Sequence, residues 1–195
     1  MRVTADKPIK IFKEWYLEAK ATEAVNPNAM TLATADDEGR PSARMVLLKD
    51  VDVDGFVFYT NLGSRKALEL NANPHAALCF YWKTLAKQVR VEGVIELVAD
   101  AEADAYFASR PKLSQLGAWA SKQSQPLEGR MALEKRVAKY TAKFNVGTIP
   151  RPDFWSGLRL RPMQIELWKE EAFRLHDRTR YKRDGDGWTV DSLYP

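Results

Sequence analysis

The chain has 195 residues, of which 45% are hydrophobic and 29% charged, with 30 Lys+Arg against 26 Asp+Glu and a formal charge of +4. That length suits one domain with a sizeable core, and the near balance of charge argues against a dedicated nucleic-acid binder while leaving enough Arg and Lys to hold a phosphorylated small molecule. A single cysteine excludes an internal disulfide and a multi-cysteine metal site, and the absence of an apolar signal core or of a run of about 18 apolar residues reads as soluble, cytoplasmic and without a membrane partner.

After Pro8, the residues Ile9, Phe12, Tyr16 and Ala19 fall at helical spacing, which predicts an amphipathic helix of about three turns. From Ala29 to Asn61, β-rich runs alternate with the turn clusters "DDEGR" (36–40) and "DVDVDG" (50–55), predicting three strands joined as a meander. "GSRKALELNANPH" predicts a short helix capped by Ser64 and stopped by Pro74. Two strands follow, "AALCFYW" and "KQVRVEGVIELV"; Cys79 reads as a small buried core residue and His75 as a turn residue. "DAEADAYFASR" predicts a helix capped by Asp100, and "PKLSQLGAWAS" a second that starts at Pro111. Leu133, Val137, Tyr140 and Phe144 mark the stripe of a surface helix. The loop "NVGTIPRPDFWSGLRLRP" then leads to a last β region built from "QIELW", "AFRLHDRTRYKR", the turn "DGDG" and "WTVDSL". The expected class is α+β, mainly β, as a closed or split β-barrel with helices packed outside.

Five stretches carry polar groups in patterns that suit chemistry. "RMVLLK" (44–49) reads alone as a core strand with charged ends; strict alternation separates Arg44 from Lys49, so both serve one ligand only if the strand bends. In "YTNLGSRKAL" (59–68) a Gly-containing turn runs into a helix led by Ser64, Arg65 and Lys66. Free N–H groups, a hydroxyl and two cations there suit a phosphate, and a bound anion would resolve the clash between those cations and the helix dipole. Tyr106, Arg110 and Ser114, each four apart, share a helical face if the chain keeps its course through Pro111. "SKQSQP" (121–126) is a polar insert able to hydrogen-bond a heterocycle. Read as a strand, "FRLHDRTRYKR" (173–183) puts Arg174, His176 and Arg178 on one face, a row that repels itself unless an anion or polar ring lies against it. His75 and His176 have no cysteine partner, so no metal is expected, and neither G-x-S-x-G nor a dinucleotide fingerprint occurs.

Taken in order, "RMVLLK", "FVFYTNLGSRKA", "KQVRVEG", "YFASRPKLSQLGAWASKQS", "FWSGLRL", "IELW" and "RLHDRTRYKR...GWTVDSLYP" closely resemble the pyridoxamine 5′-phosphate oxidase family, from roughly the first helix to the last residue. The resemblance implies a homodimeric FMN-binding split β-barrel with FMN at the subunit interface. Residues 1–195 would form one domain, with a dimerisation and active-site β region over about 150–195. Matched residue by residue, it gives FMN to Arg44, Met45, Val46, Leu47, Leu48, Lys49, Tyr59, Thr60, Arg65, Lys66, Gln88, Gln123, Ser124, Trp168 and Arg178. It gives the substrate to Lys49, Tyr106, Arg110, Ser114, Arg174, Leu175 and His176, with Arg174 and His176 over the reacting carbon.

The implied reaction moves a hydride from C4′ of pyridoxine or pyridoxamine 5′-phosphate to N5 of FMN, which O2 reoxidises with release of hydrogen peroxide; the imine formed from the amine is hydrolysed to pyridoxal 5′-phosphate. Two other readings are a split-barrel flavin reductase of another substrate and a binding module without turnover. The presence of all five of Tyr106, Arg110, Ser114, Arg174 and His176 favours the oxidase. Two departures stand out: only seven residues precede Pro8, where many members carry a basic segment over the substrate, and Lys169, Glu170 and Glu171 replace residues that are often small, altering the turn into Arg174.

Overall fold

In the computed structural model of the chain, which describes residues 2–4, 6–129 and 131–195, the apolar alternation of each strand decides which face turns inward. Strand β1 (Arg2–Val3) precedes helix α1 (Lys7–Thr22), whose 16 residues exceed the predicted three turns. Strands β2 (Ala29–Ala35) and β3 (Pro41–Leu47) form a hairpin, followed by the short β4 (Asp50–Val51) and by β5 (Phe56–Asn61). Helix α2 (Arg65–Ala72) leads to the hairpin of β6 (His75–Trp82) and β7 (Lys87–Leu97). Three helices come next, α3 (Asp100–Ser109), α4 (Lys112–Ala120) and α5 (Ala132–Lys143). The chain closes with β8 (Trp155–Lys169), β9 (Asp177–Asp184) and β10 (Gly187–Ser192).

Met30 and Leu32 of β2, Phe56 and Phe58 of β5, and Leu78, Phe80 and Trp82 of β6 point into one core, which α1 closes with Ile9, Phe12 and Ala19. Phe12 is its hub, with ring centroids 4.8 Å from Phe56, 5.0 Å from Phe80 and 5.9 Å from Trp82. Truncating such a fully buried ring costs about 3–5 kcal/mol. Cys79 and Tyr81 alternate with those β6 residues and so face outward; Cys79 is half-buried on the outer face, not in the core.

The ten strands are antiparallel, in the order β1-β10-β9-β8-β7-β6-β2-β3, with β5 on a second edge of β8. Residues 155–160 of β8 pair with β5 and residues 164–169 with β9, while β7 runs along the other side of both. The change of partner occurs at a bulge: Gly93 pairs with Pro162 and Glu92 with Gln164, leaving Met163 extra. Core-facing residues are therefore even-numbered before it (Leu158, Leu160) and odd-numbered after it (Ile165, Leu167). The backbones approach so closely there that a Cβ on Gly93 would lie 2.0 Å from the Arg161 carbonyl oxygen, which excludes any other residue.

The strip β3-β2-β6-β7-β8-β5 curls into a barrel that is split between β3 and β5. The expected meander is corrected accordingly: β5 pairs with β4 and β8, and past the end of β3 the link across the split is the Lys49 N–H to the Val57 carbonyl at 2.9 Å. Other expectations shift too. Residues 155–162, read as loop, are strand; His75 opens β6; Asp100 and Pro111 stand one place from their predicted positions, with Ala99 and Pro111 as the N-caps of α3 and α4. No side chain of α5 is fully buried, in keeping with a surface helix.

Candidate active site

At the split, the end of β3, the end of β5, the start of α2 and the corner between α3 and α4 surround a cleft of about 480 Å³. Its lining includes Arg44, Met45, Val46, Leu47, Lys49, Tyr59, Thr60, Lys66, Gln123, Tyr106, Arg110 and Ser114, so most of the expected residues up to Gln123 converge there. Arg44 and Lys49 share it because β3 ends at Leu47 and the chain turns through Leu48. The Leu48 side chain goes into the core, its N–H donates to the Asn28 carbonyl and its own carbonyl accepts from Asn28 Nδ2, so it does not line the cleft.

On the α2 side the key group is Lys66, 8% exposed. Its amine donates to Ser64 Oγ at 3.2 Å, Thr60 Oγ1 at 3.3 Å and Gln123 Oε1 at 3.3 Å. All three acceptors are neutral. Burial, then the neighbouring Arg44, push its pKa below the ordinary lysine value, against the pull of Glu69. Among the described residues a buried ammonium so placed has no carboxylate in direct contact. Ser64 stands at the cap position of α2, but its hydroxyl serves Lys66 while its carbonyl accepts from the N–H groups of Ala67 and Leu68. Arg44 Nη1 donates to the Leu32 carbonyl and Thr34 Oγ1, and Nη2 to Ser42 Oγ and to Glu69 at 3.2 Å. Arg65 and Ser124 line an adjoining hollow of about 650 Å³, together with Glu69.

On the α3–α4 side the walls are aromatic. Tyr59 lies flat on Tyr106, with centroids 3.9 Å apart and planes 14° apart, and on Trp155 at 5.3 Å. Gly157, opposite Tyr59 in the ladder, makes room: a Cβ there would come within 2.7 Å of the Tyr59 ring. Burial, then the charge of Glu102, pushes the Tyr59 phenol up to about 12, so it stays protonated as a donor. Tyr106, Arg110 and Ser114 do not share one helical face, because Arg110 is extended and ends α3. They meet at a corner pinned by Gln115 Nε2, which donates to the carbonyls of Phe107, Ala108 and Arg110 at 3.0, 3.2 and 3.0 Å. The Arg110 guanidinium stacks 4.8 Å over Trp155, and its buried Nη1 has no hydrogen-bond partner. Burial lowers its pKa, and an anionic ligand is the natural acceptor for that orphaned donor.

The remaining expected residues, Gln88 and those from Trp168 onward, form a separate group. Gln88, Trp168 and Arg178 are in register across β7, β8 and β9. Arg178 donates to Glu166 through Nε at 3.0 Å and Nη2 at 2.8 Å, and to the Tyr194 carbonyl at 3.0 Å. The His176 ring lies 4.8 Å from Trp168, and its Nδ1 accepts the Glu171 N–H at 3.3 Å. The row of Arg174, His176 and Arg178 on one strand face is not formed. Ala172–Arg174 is a 3-10 turn with φ of 58° at Phe173 and 62° at Arg174, and β9 begins only at Asp177. The chain leaves the sheet after Lys169, and the Leu175 N–H closes the turn on the Ala172 carbonyl. Phe173 (94% exposed) and Leu175 (68%) project outward. None of Gln88, Trp168, Arg174, Leu175, His176 and Arg178 lines the cleft.

Sequence reasoning missed Trp155, Glu69 and Glu166. Trp155 lies inside a segment that reads as loop; Glu69 is signalled only by its place four residues after Arg65, and Glu166 only by the ladder, where it stands opposite Arg180 and diagonal to Arg178. Among the described residues no helix is long and apolar enough to cross a membrane.

Residues 17–144 match the family described as pyridoxamine 5′-phosphate oxidase, and residues 155–195 match the pyridoxine 5′-phosphate oxidase C-terminal dimerisation region. A pyridoxine/pyridoxamine 5′-phosphate oxidase of Rhodospirillum rubrum is 60% identical over 193 residues, covering 96% of each chain. One of Brucella anthropi is 58% identical over 194 residues, covering 98% of this chain and 95% of its own. Among solved structures, PhzG from Burkholderia lata 383 in complex with tetrahydrophenazine-1-carboxylic acid superposes with a TM-score of 0.91 at 34% identity, over 96% of this chain and 92% of its own. A pyridoxamine 5′-phosphate oxidase-related, FMN-binding protein from Nostoc punctiforme shares the fold, with a TM-score of 0.78 at 19% identity, over 96% and 98%. With a cleft lined by cations and aromatic rings, and with both matches together spanning most of its length, the chain belongs to the pyridoxamine 5′-phosphate oxidase family.

Proposed function

We propose that this chain is an FMN-dependent oxidase that converts pyridoxamine and pyridoxine 5′-phosphate to pyridoxal 5′-phosphate in the cytoplasm, as a homodimer of single-domain copies. The observation that carries this is a cleft with two cationic seats, Lys66 with Arg44 on one side and Arg110 with Lys49 on the other, separated by flat aromatic walls. Two phosphorylated ring systems, cofactor and vitamer, match two such seats.

The buried, counter-ion-poor amine of Lys66 and the polar groups of Thr60 and Gln123 fit a flavin phosphate. Arg65 and Ser124 approach it from the adjoining hollow, and Arg44, Met45, Val46 and Leu47 give a strand edge for the rest of FMN. When bound, FMN supplies a hydride acceptor at N5 that dioxygen can reoxidise, giving hydrogen peroxide. Lys49, Tyr106, Arg110 and Ser114 hold the phosphate of the vitamer, Arg110 filling its orphaned Nη1.

Gln88, Trp168 and Arg178, with Arg174, Leu175 and His176, serve the cleft of a second copy. Two features support this: they lie outside their own cleft, and the outer barrel face exposes Met45, Leu47, Tyr81 and Met163, an apolar surface that a second copy would cover. Arg174 then fixes the substrate and stabilises developing charge. His176, whose Nδ1 already accepts the Glu171 N–H, carries its proton on Nε2 when neutral and so can orient the pyridine ring or move a proton there. Water completes the amine reaction by hydrolysing the imine to the aldehyde and ammonia.

The resemblance to PhzG favours a second reading, oxidation of a different flat substrate on the same flavin. One experiment separates them: record the visible spectrum of the purified protein and follow peroxide release with pyridoxamine 5′-phosphate. A flavin spectrum without turnover of that substrate would favour the second reading, and a colourless protein unable to take up FMN would sink both.

A further inference from the structure

Glu69 lies one turn after Arg65 on α2, buried, and accepts hydrogen bonds from three elements. Thr34 Oγ1 donates at 2.5 Å, Ser42 Oγ at 2.7 Å, Arg44 Nη2 at 3.2 Å and Arg65 Nε at 2.7 Å. Arg44 lines the main cleft and Arg65 the adjoining hollow, so one carboxylate joins a cation of each. Burial opposes its ionisation, but the Thr34 and Ser42 hydroxyls and then Arg65 and Arg44 hold its pKa at about 2.

By Coulomb's law alone an anion beside a phosphate seat is a liability. Geometry gives the opposite answer. The Arg65 side chain is 66% exposed and would otherwise sample many rotamers; the bond at Nε fixes its plane and leaves both Nη groups for a ligand. We propose that Glu69 is a positioning residue for the flavin phosphate: it clamps Arg44 and Arg65 as a pair and, with Lys66, leaves the cradle two net positive charges, the complement of a phosphomonoester dianion. The inference rests on the FMN reading above and adds to it a residue that touches no ligand.

The test titrates the full-length apoprotein with FMN and with riboflavin, following quenching of flavin fluorescence, for the wild type, Glu69→Gln, Arg65→Ala and the double variant. Glu69→Gln makes the cradle more positive, so a purely Coulombic role predicts tighter FMN; positioning predicts FMN weaker by about 10- to 100-fold, with riboflavin unchanged. The loss should shrink in the Arg65→Ala background. Unchanged or tighter FMN binding, a parallel loss of riboflavin, or additive effects in the double variant each overturn the proposal. If Glu69→Gln does not fold, Arg65→Lys keeps the charge without the planar Nε donor: it should weaken FMN and spare riboflavin, and unaltered FMN binding overturns the clamp. A wild type that binds neither flavin instead removes the oxidase reading itself.

Discussion

In the cleft, Lys66 reaches three neutral oxygens and Arg44 four acceptors, so these cations are aimed before any ligand arrives. The group on β7, β8 and β9 is different: Arg178 is anchored to Glu166, but Arg174 stands on a turn of two left-handed residues that projects away from its own cleft. Each such residue costs of order 1–2 kcal/mol, which the closing bond from Leu175 and the His176 contact to Glu171 help offset. On the proposed function, the contrast is one of division: the cations for binding are fixed in the cleft, while the group proposed to meet the reacting carbon is carried on a turn outside it.

The comparison breaks first at Arg174. Arg174→Ala should cut kcat by about 10²- to 10³-fold while the flavin-to-protein ratio stays at the wild-type value, and loss of flavin would mean that the turn belongs to cofactor binding. Mixed dimers sharpen it. Arg110→Ala and Arg174→Ala, each nearly inactive alone, should recover about a quarter of wild-type activity when co-expressed, because half the dimers then carry one intact site. No recovery would put both groups in the site of a single chain.

Lys66→Ala should weaken FMN by about 10- to 100-fold, read by fluorescence quenching. Because the protonated amine is the binding form and its pKa is already lowered, wild-type affinity should fall as pH rises through a value below 10.5, a limb that the variant lacks. The smallest effect belongs to the aromatic wall. Gly157→Ala should destabilise by about 1–3 kcal/mol in thermal or urea unfolding, since Tyr59 or Val98 must move. It should also raise KM for the vitamer more than it weakens FMN.

Most of the barrel was legible because its strands obey period two: Met30 with Leu32, and Leu78 with Phe80 and Trp82, point where alternation sends them. Cys79 was misjudged from the apolar run around it, although that same alternation sets it opposite Leu78 and Phe80. Trp155 to Pro162 reads as loop, yet Gly157 packs against Tyr59 and Pro162 borders the bulge at Met163, both inside a strand. The row at Arg174 failed for the reverse reason: its residue types suit a strand, and only tertiary contacts reveal the left-handed turn. In the site, cations grouped along the chain were visible, but convergence was not. Arg110 reaches Trp155 through a helix corner held by Gln115, and Glu69 reaches Thr34 and Ser42 across three elements, neither of which local spacing encodes.

The bulge at Met163 acts as a reading frame for β8. Trp155 before it and Trp168 after it both stand off the barrel core only because one residue between them has no opposite number on β7. Delete Met163, and Pro162 opposite Gly93 is followed directly by Gln164 opposite Glu92, so Leu158, Leu160, Ile165 and Leu167 all still face inward and only the bulge is lost. What would go is the local bend and added twist that the extra residue gives β8 near the point where its partner changes from β5 to β9. Met163 thus sets where β8 bends, while the alternation on either side of it sets which residues reach the core.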